Sequence, residues 1–257
     1  MPKYKYLKFL PEYRQMITYV GILASNTCDI MGWEARLESL LYLLYSELPL
    51  VLYVDEFYRA KIQVPIPSNI TILPFVPEET ETFKMIAQYN NLKLGHSRND
   101  LKDTHYYCAL MNTKIEMVMR AIDDGHVKTS HVGYIDAGIA KLFKNKQACF
   151  QRIKNVKAET IKKIVYPGCW PPNILTVKIE NMYENACWVF CGSLLFAPVE
   201  KMRLFHETCK PIFKEMLDRG YLLWEVNVWP VAVVKMPDEF VWYEGHHDDR
   251  MSMVPGI

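Results

Sequence analysis

Charged side chains stand at several places where the surrounding sequence is otherwise apolar, and those places define the chemistry open to this chain. In "HVGYIDAGI", Asp136 ends a β-branched and aromatic run and is followed by Ala137 and Gly138. A carboxylate so placed either caps the helix that follows or faces a ligand, since small residues let a phosphate or hydrated metal approach the backbone. Asp55 ends a second apolar run, "LVLYV", and carries the same two readings. "WEVNVW" sets Glu225 among bulky apolar residues. Burial there would raise its pKa, which suits a general base; a hydrogen-bonded structural Glu fits equally well. Lys114 follows Asn112 and Thr113 and can counter a diphosphate as a point charge; an exposed lysine on an amphipathic helix is the plainer alternative. Arg98, Asp103 and Thr104 lie in the polar stretch just before it. Near the end, "YEGHHDDR" holds His246 and His247 beside two aspartates. Histidine with carboxylate suits Mn²⁺, and oxygen alone suits Mg²⁺. Asp136 with one of His246 or His247 is therefore a candidate ligand pair, with diphosphate oxygens and water completing the shell. A solvated tail with incidental histidines is the competing reading.

The elements that would position these residues alternate. Residues 16–25 read as a strand, 34–46 as a helix, "LPLVLYV" as a strand ending at Asp55, and 69–75 as a third strand. "PEETETFKMIAQYNN" opens with proline and acids, as helix N-termini do. Residues 106–125 read as one long amphipathic helix stopped by Gly125, 131–136 as a fourth strand, and "AGIAKLFKNKQACFQRI" as a helix. The segment 163–172 reads as irregular. Residues 186–198 read as a strand pair or one bent strand, and 199–220 as a helix broken near Pro211. "YLLWEVNVWPVAVVKMP" reads as helix or strand. Alternation through the first 145 residues predicts βαβ units on a mostly parallel sheet, in one α/β domain spanning 1–257. In open sheets of this kind ligands bind outside the carboxyl ends of the strands, which is where Asp55 and Asp136 fall.

Composition narrows the class. The 257 residues are 50% hydrophobic, enough for a sizeable core. Lys and Arg number 30 against 29 Asp and Glu, so a broadly basic surface for nucleic acid is not indicated. No apolar run reaches the ~18 residues of a membrane span, and the first residues lack a signal-peptide core. Seven scattered cysteines without a CxxC pattern read as free thiols of a reducing, cytoplasmic compartment. Cys187 and Cys191, the closest pair, read as strand packing rather than a metal site. Tyr134, Trp188 and Trp224 could offer faces to sugar rings, with core packing the expected role for at least two of them.

Taken together, "VLYVDE", "KDTHYYCALMNTKIEMV", "GYIDAGI", "WEVNVW" and the late "GHH" resemble the HtrL/YibB-like glycosyltransferase family, including its relatives in large DNA viruses. The resemblance covers roughly residues 17–250. It implies a GT-A-like, Rossmann-like domain with a nucleotide-sugar half at about 15–145 and an acceptor half at about 146–257. It implies transfer of a sugar from a nucleotide-sugar donor, UDP- or GDP-linked, to a hydroxyl on a glycan or glycoprotein acceptor, assisted by Mn²⁺ or Mg²⁺, in the host cytoplasm if the chain is viral. Asp136 would stand in the metal-binding acidic motif. Gly138 occupies the position where many such enzymes carry a second Asp, which leaves more to the late histidines. By the same resemblance Asp55 would lie near the nucleotide, Lys114 near the diphosphate or sugar, and Glu225 near the acceptor; Arg98, Asp103, Asp136 and Gly138 join Asp55 and Lys114 as candidate donor-binding residues. A metal-dependent phosphoesterase and a non-catalytic nucleotide- or sugar-binding module are the alternatives.

Overall fold

The computed structural model describes residues 16–25, 32–95, 103–175, 182 and 185–256. Seven strands form one sheet: β1 (Ile17–Leu23), β2 (Leu50–Val54), β3 (Ile70–Pro74), β4 (His131–Ile135), β5 (Ile164–Gly168), β6 (Leu194–Pro198) and β7 (Phe240–Glu244). Their spatial order is β3-β2-β1-β4-β6-β5-β7. β1 pairs in parallel with both β2 and β4, β2 with β3, and β5 with β7; β6 runs antiparallel to β4 and β5. The chain therefore has a Rossmann-like α/β fold with a mostly parallel sheet, and that sheet joins strands from both halves of the sequence.

Among the described residues eight helices cover it: α1 (Gly32–Leu44), α2 (Glu56–Arg59), α3 (Glu81–Ile86), α4 (His105–Asn112), α5 (Lys114–Asp123), α6 (Lys146–Lys154), α7 (Val199–Asp218) and α8 (Glu225–Lys235). Alternate residues of each strand feed two cores, as the period of two in an extended chain requires. Val51, Tyr53, Val132, Tyr134, Leu195 and Ala197 join the core shared with α5, α7 and α8. Leu50, Leu52, Val54, Ile135, Leu194 and Phe196 join the opposite core, shared with α1 and α6. β2, β4 and β6 are buried along their whole length, which is why they read as unbroken apolar runs.

Five expectations are corrected. The segment 106–125 is two helices, divided at Thr113, whose N–H bonds to Leu110 O at 3.2 Å and whose hydroxyl donates to the same carbonyl at 2.7 Å. After that tightened turn α5 buries seven of its ten residues, Lys114 and Glu116 among them. The helix expected from Ala137 onward begins only at Lys146, capped by Asn145, which accepts from Ala148 N at 3.1 Å; a 3-10 turn, Ile139–Leu142, precedes it. Residues 164–168 form β5 despite Pro167, and of residues 186–198 only 194–198 are strand. Residues 199–218 are one helix through Pro211.

The closing segment is docked rather than solvated. Asp249 accepts from Lys144 N at 2.6 Å and Asn145 N at 3.3 Å, and Tyr243 donates to Met251 O at 2.6 Å. No helix among the described residues is long and apolar enough to cross a membrane.

Candidate functional site

Because six strands run one way and β6 runs the other, one edge of the sheet collects the residues after β1, β2, β4, β5 and β7 together with those just before β6. Strand order reverses between β1 and β4, and the mouth of that crevice is where open α/β sheets bind ligands. Asp136 stands there, its backbone N–H bonded to Ser193 O at 2.9 Å.

Asp136, Lys114 and Glu225 meet although 22 and 89 residues separate them from one another in the chain (136 − 114 and 225 − 136). The Lys114 ammonium lies 2.7 Å from Glu225 Oε1, 3.2 Å from Asp136 Oδ1 and 2.9 Å from Gly192 O. An ammonium has three donors, and all three find protein acceptors. Tyr134, two residues before Asp136 and so on the same side of the strand, donates to Asp136 Oδ1 at 2.8 Å; its ring lies beneath the ammonium at 5.0 Å. The Lys114 side chain is 2% exposed and that of Asp136 is 30% exposed. Asp136 is thus the face that this group presents to solvent.

The electrostatics follow from the geometry. Burial opposes the charge on Asp136, but Lys114, hydrogen bonds from Ser193 and Tyr134, and the more distant Lys141 together hold its carboxyl below the ordinary value. Burial lowers the affinity of Lys114 for its proton, and the two carboxylates more than reverse that effect. For Glu225 burial dominates and Asp136 adds to it, so its carboxyl is pushed up even with Lys114 alongside. Glu225 Oε2 is buried and has no hydrogen-bond partner among the described residues. The Tyr107 hydroxyl is pushed up first by burial and then by Glu225, Asp136 and Asp103. With both carboxylates ionised the cluster carries one surplus negative charge, directed outward through Asp136.

Gly192 shapes this contact. It sits at φ +24°, and a Cβ there would stand 2.5 Å from Glu225 Oε1. Only glycine lets its carbonyl reach Lys114 while leaving room for the carboxylate. Among the described residues a Cβ at Gly138 would meet nothing nearer than Lys141 Nζ at 3.8 Å.

The other sequence candidates fall into different places. Asp55 accepts from Ser25 N and Ser25 Oγ, each at 2.6 Å, and from Tyr58 N at 2.9 Å. Three acceptor positions of a buried carboxylate go to capping α2 and tying β1 to β2, the capping use foreseen from the sequence. Asp55→Ala is expected to cost about 2 kcal/mol of stability, read as a lowered denaturation midpoint with an unchanged m-value. Lys114, read from the sequence as a partner for a diphosphate, has no N–H to give one unless a protein bond is exchanged. Asp103 is buried just ahead of α4 and near enough to influence Tyr107. Arg98 lies outside the described residues.

The histidines reach the same edge of the sheet and find other partners. His246 pairs with Glu244 at 2.7 Å, and His247 Nδ1 meets Cys169 Sγ at 3.4 Å over the end of β5. β7 lies three strand spacings from β4, on the order of 14 Å. Among the described residues neither histidine forms a hydrogen bond or ion pair with Asp136, so the expected ligand pair of Asp136 with His246 or His247 is not assembled here. Between the two regions runs a row of edge-on rings: Tyr107 to Trp224 at 5.7 Å, Trp224 to Trp188 at 5.4 Å, and Trp188 to His247 at 5.0 Å. Trp188 and Trp224 are part-exposed, while Tyr134 is core.

Arg36 is a site candidate that the sequence reading misses. It stands on α1, donates to Ala24 O at the end of β1 at 3.2 Å, and its charge is felt at Tyr107. Its signal in the sequence is faint: a single cation in the first turns of the helix that follows the first strand. Tyr134 as a hydrogen-bond donor was legible from its i−2 spacing to Asp136. Gly192 and Ser193 were not, since their role depends on β6 running backwards. Compared with known proteins, the sequence matches no family model and no curated protein.

Proposed function

We propose that the chain is a glycosyltransferase that moves a sugar from a nucleotide-sugar to a hydroxyl of a glycan or glycoprotein, with the donor in the crevice between the ends of β1 and β4. The observation that carries this reading is the outward-facing, ionised Asp136, fixed by Lys114 and Tyr134 at the switch point of a Rossmann-like sheet. The donor set fits a hard divalent cation, Mn²⁺ or Mg²⁺, which is commonly bound by one or two carboxylates with substrate phosphates and water in the remaining positions. Asp136 would hold it, and when bound it would supply charge to stabilise the departing diphosphate.

This chain's own residues do the rest. Lys114 keeps Asp136 ionised and fixed in orientation, acting through that carboxylate rather than on the substrate. Arg36, on α1 beside the end of β1, would meet the phosphates through a guanidinium that shares its N–H groups with Ala24 O. Ala137 and Gly138 keep the approach to Asp136 clear. Trp188 and Trp224 form the platform on which the acceptor sugar lies. Glu225 Oε2 lacks the donor that an acceptor hydroxyl would bring, which suits a base; at 2% exposure it meets that hydroxyl only after neighbouring side chains open.

The test is a thermal-shift screen of UDP- and GDP-sugars with and without Mn²⁺. A ligand that binds only the folded state raises the melting temperature. The expected result is a rise for one donor family that depends on the cation, accompanied by slow release of nucleoside diphosphate. A phosphoesterase would cleave simple phosphodiesters as well, and a binding module would shift without turnover. Either outcome would replace the proposed reaction.

A further inference from the structure

Three stretches of chain that are distant in sequence converge beyond the aromatic row. The first leaves β5 at Gly168 and Cys169, the second approaches β6 through Cys191, and the third leaves β7 through His246 and His247. Cys169 Sγ lies 3.6 Å from Cys191 Sγ and 3.4 Å from His247 Nδ1. One ligand atom from each residue falls within 4.8 Å of the others. Around a tetrahedral zinc with Zn–S of ~2.3 Å and Zn–N of ~2.0 Å, sulfur–sulfur and sulfur–nitrogen separations come to about 3.8 and about 3.5 Å. The two spacings from Cys169 come close to that shell, and the third, between Cys191 and His247, lies within 4.8 Å.

The surroundings hold this geometry. Cys169 N and Trp170 N both bond to Trp188 O, at 2.9 and 3.0 Å; Cys191 N bonds to Pro167 O at 2.8 Å; Gly245 N bonds to Gly168 O at 3.0 Å. A Cβ at Gly168 would fall 1.8 Å from Val189 O, and one at Gly245 would fall 2.6 Å from Pro167 Cβ and 3.2 Å from Cys191 Sγ. Glycine at both positions is what lets the three stretches close on one another. His246 and His247 are both in the left-handed region, at φ 52° and 51°. Two consecutive non-glycine residues there carry strain, and that turn is what delivers the His247 ring to Cys169. Trp188 holds the ring edge-on from the other side.

We propose that Cys169, Cys191 and His247 bind one zinc ion, with a fourth position open on the part-exposed side of Cys169 and His247. Two thiolates and an imidazole are soft and borderline ligands that select zinc over Mn²⁺ or Mg²⁺. This cation is therefore distinct from the one proposed at Asp136 and independent of the donor reading. Each thiol gives up its proton to solvent when the ion binds, as coordinated thiols do. Because Gly192 follows Cys191 and its carbonyl accepts from Lys114, the ion would also brace the loop that carries one wall of the Asp136 site.

The test uses the full chain, purified under reducing conditions without chelator, loaded with Zn²⁺ and dialysed. Metal analysis should find one zinc per chain, and Co²⁺ in its place should show thiolate-to-metal charge-transfer and tetrahedral ligand-field absorption. Cys169→Ser and His247→Ala should each reduce the zinc to background, while Asp136→Asn keeps one per chain. His247 is part-exposed, so its variant folds even if the Cys169 variant does not. A thiophilic chelator should lower the melting temperature, and Zn²⁺ but not Mn²⁺ should restore it. Wild-type protein free of zinc after loading, zinc retained in His247→Ala, or a Cys169–Cys191 disulfide persisting in reductant would overturn the assignment.

Discussion

Lys114→Met is expected to remove about 3–5 kcal/mol of stability at neutral pH, the range seen when one partner of a buried ion pair is deleted. The methionine fills similar space but leaves Glu225 Oε1 and Gly192 O without the donor they now share, and it leaves Asp136 and Glu225 as like charges in contact with one another's surroundings. The sign of the pH dependence follows from the shifts. In the native protein Asp136, held below its ordinary value, contributes stability above about pH 4 and loses it as pH falls through its folded pKa. Lys114, held above its ordinary value, contributes stability throughout neutral and acid solution and loses it only as pH rises past that raised value. Without Lys114 both carboxyls shift upward, the folded state retains protons, and stability declines as pH rises through those new values. Denaturant titrations at pH 5 and pH 8 should therefore show the variant's deficit to be larger at pH 8. A deficit below about 1 kcal/mol, equal at both values, would mean that Lys114 behaves as a surface charge.

The second large effect is on activity. Asp136→Asn retains the shape of the side chain and a carbonyl oxygen for Tyr134 and Lys114, and removes the charge that faces solvent. Donor turnover that depends on Mn²⁺ should fall by about 10²-fold or more, and the cation-dependent rise in melting temperature on adding donor should disappear. The fold should survive, because Lys114 keeps Glu225 Oε1 and Gly192 O as partners. Unchanged turnover in a folded Asp136→Asn protein would take the reaction away from this carboxylate.

Much of the fold shows in the sequence up to β4, where strands buried on both faces read as short apolar runs bounded by turn residues and the helices between them carry a separate period. Beyond Lys154 the signal fails for identifiable reasons. β5 contains Pro167 and Gly168, both of which argue against a strand; yet Pro167 still offers its carbonyl to Cys191 N. β7 is five residues of mostly part-buried aromatics that read as a tail. Nothing short-range marks Thr113 as a boundary between two helices. The site is legible to the same degree. Asp136 can be found as a charge ending a buried strand, and Glu225 as an acid among tryptophans. That Lys114 joins them depends on α5 beginning beside the β4 carboxyl end, a tertiary fact without a local signature. The two histidines read as metal ligands paired with Asp136, but the position of β7 three strands away gives them cysteine and glutamate neighbours instead.

The most direct measurement is a crystal structure of the protein with Mn²⁺ and the nucleotide-sugar that raises its melting temperature most. A diphosphate is expected at the mouth between β1 and β4, with a cation bonded to Asp136, phosphate oxygens near Arg36, and the sugar turned toward Trp188 and Trp224. A donor lodged elsewhere on the molecule, with Asp136 still bonded only to Tyr134, Ser193 and Lys114, would contradict it.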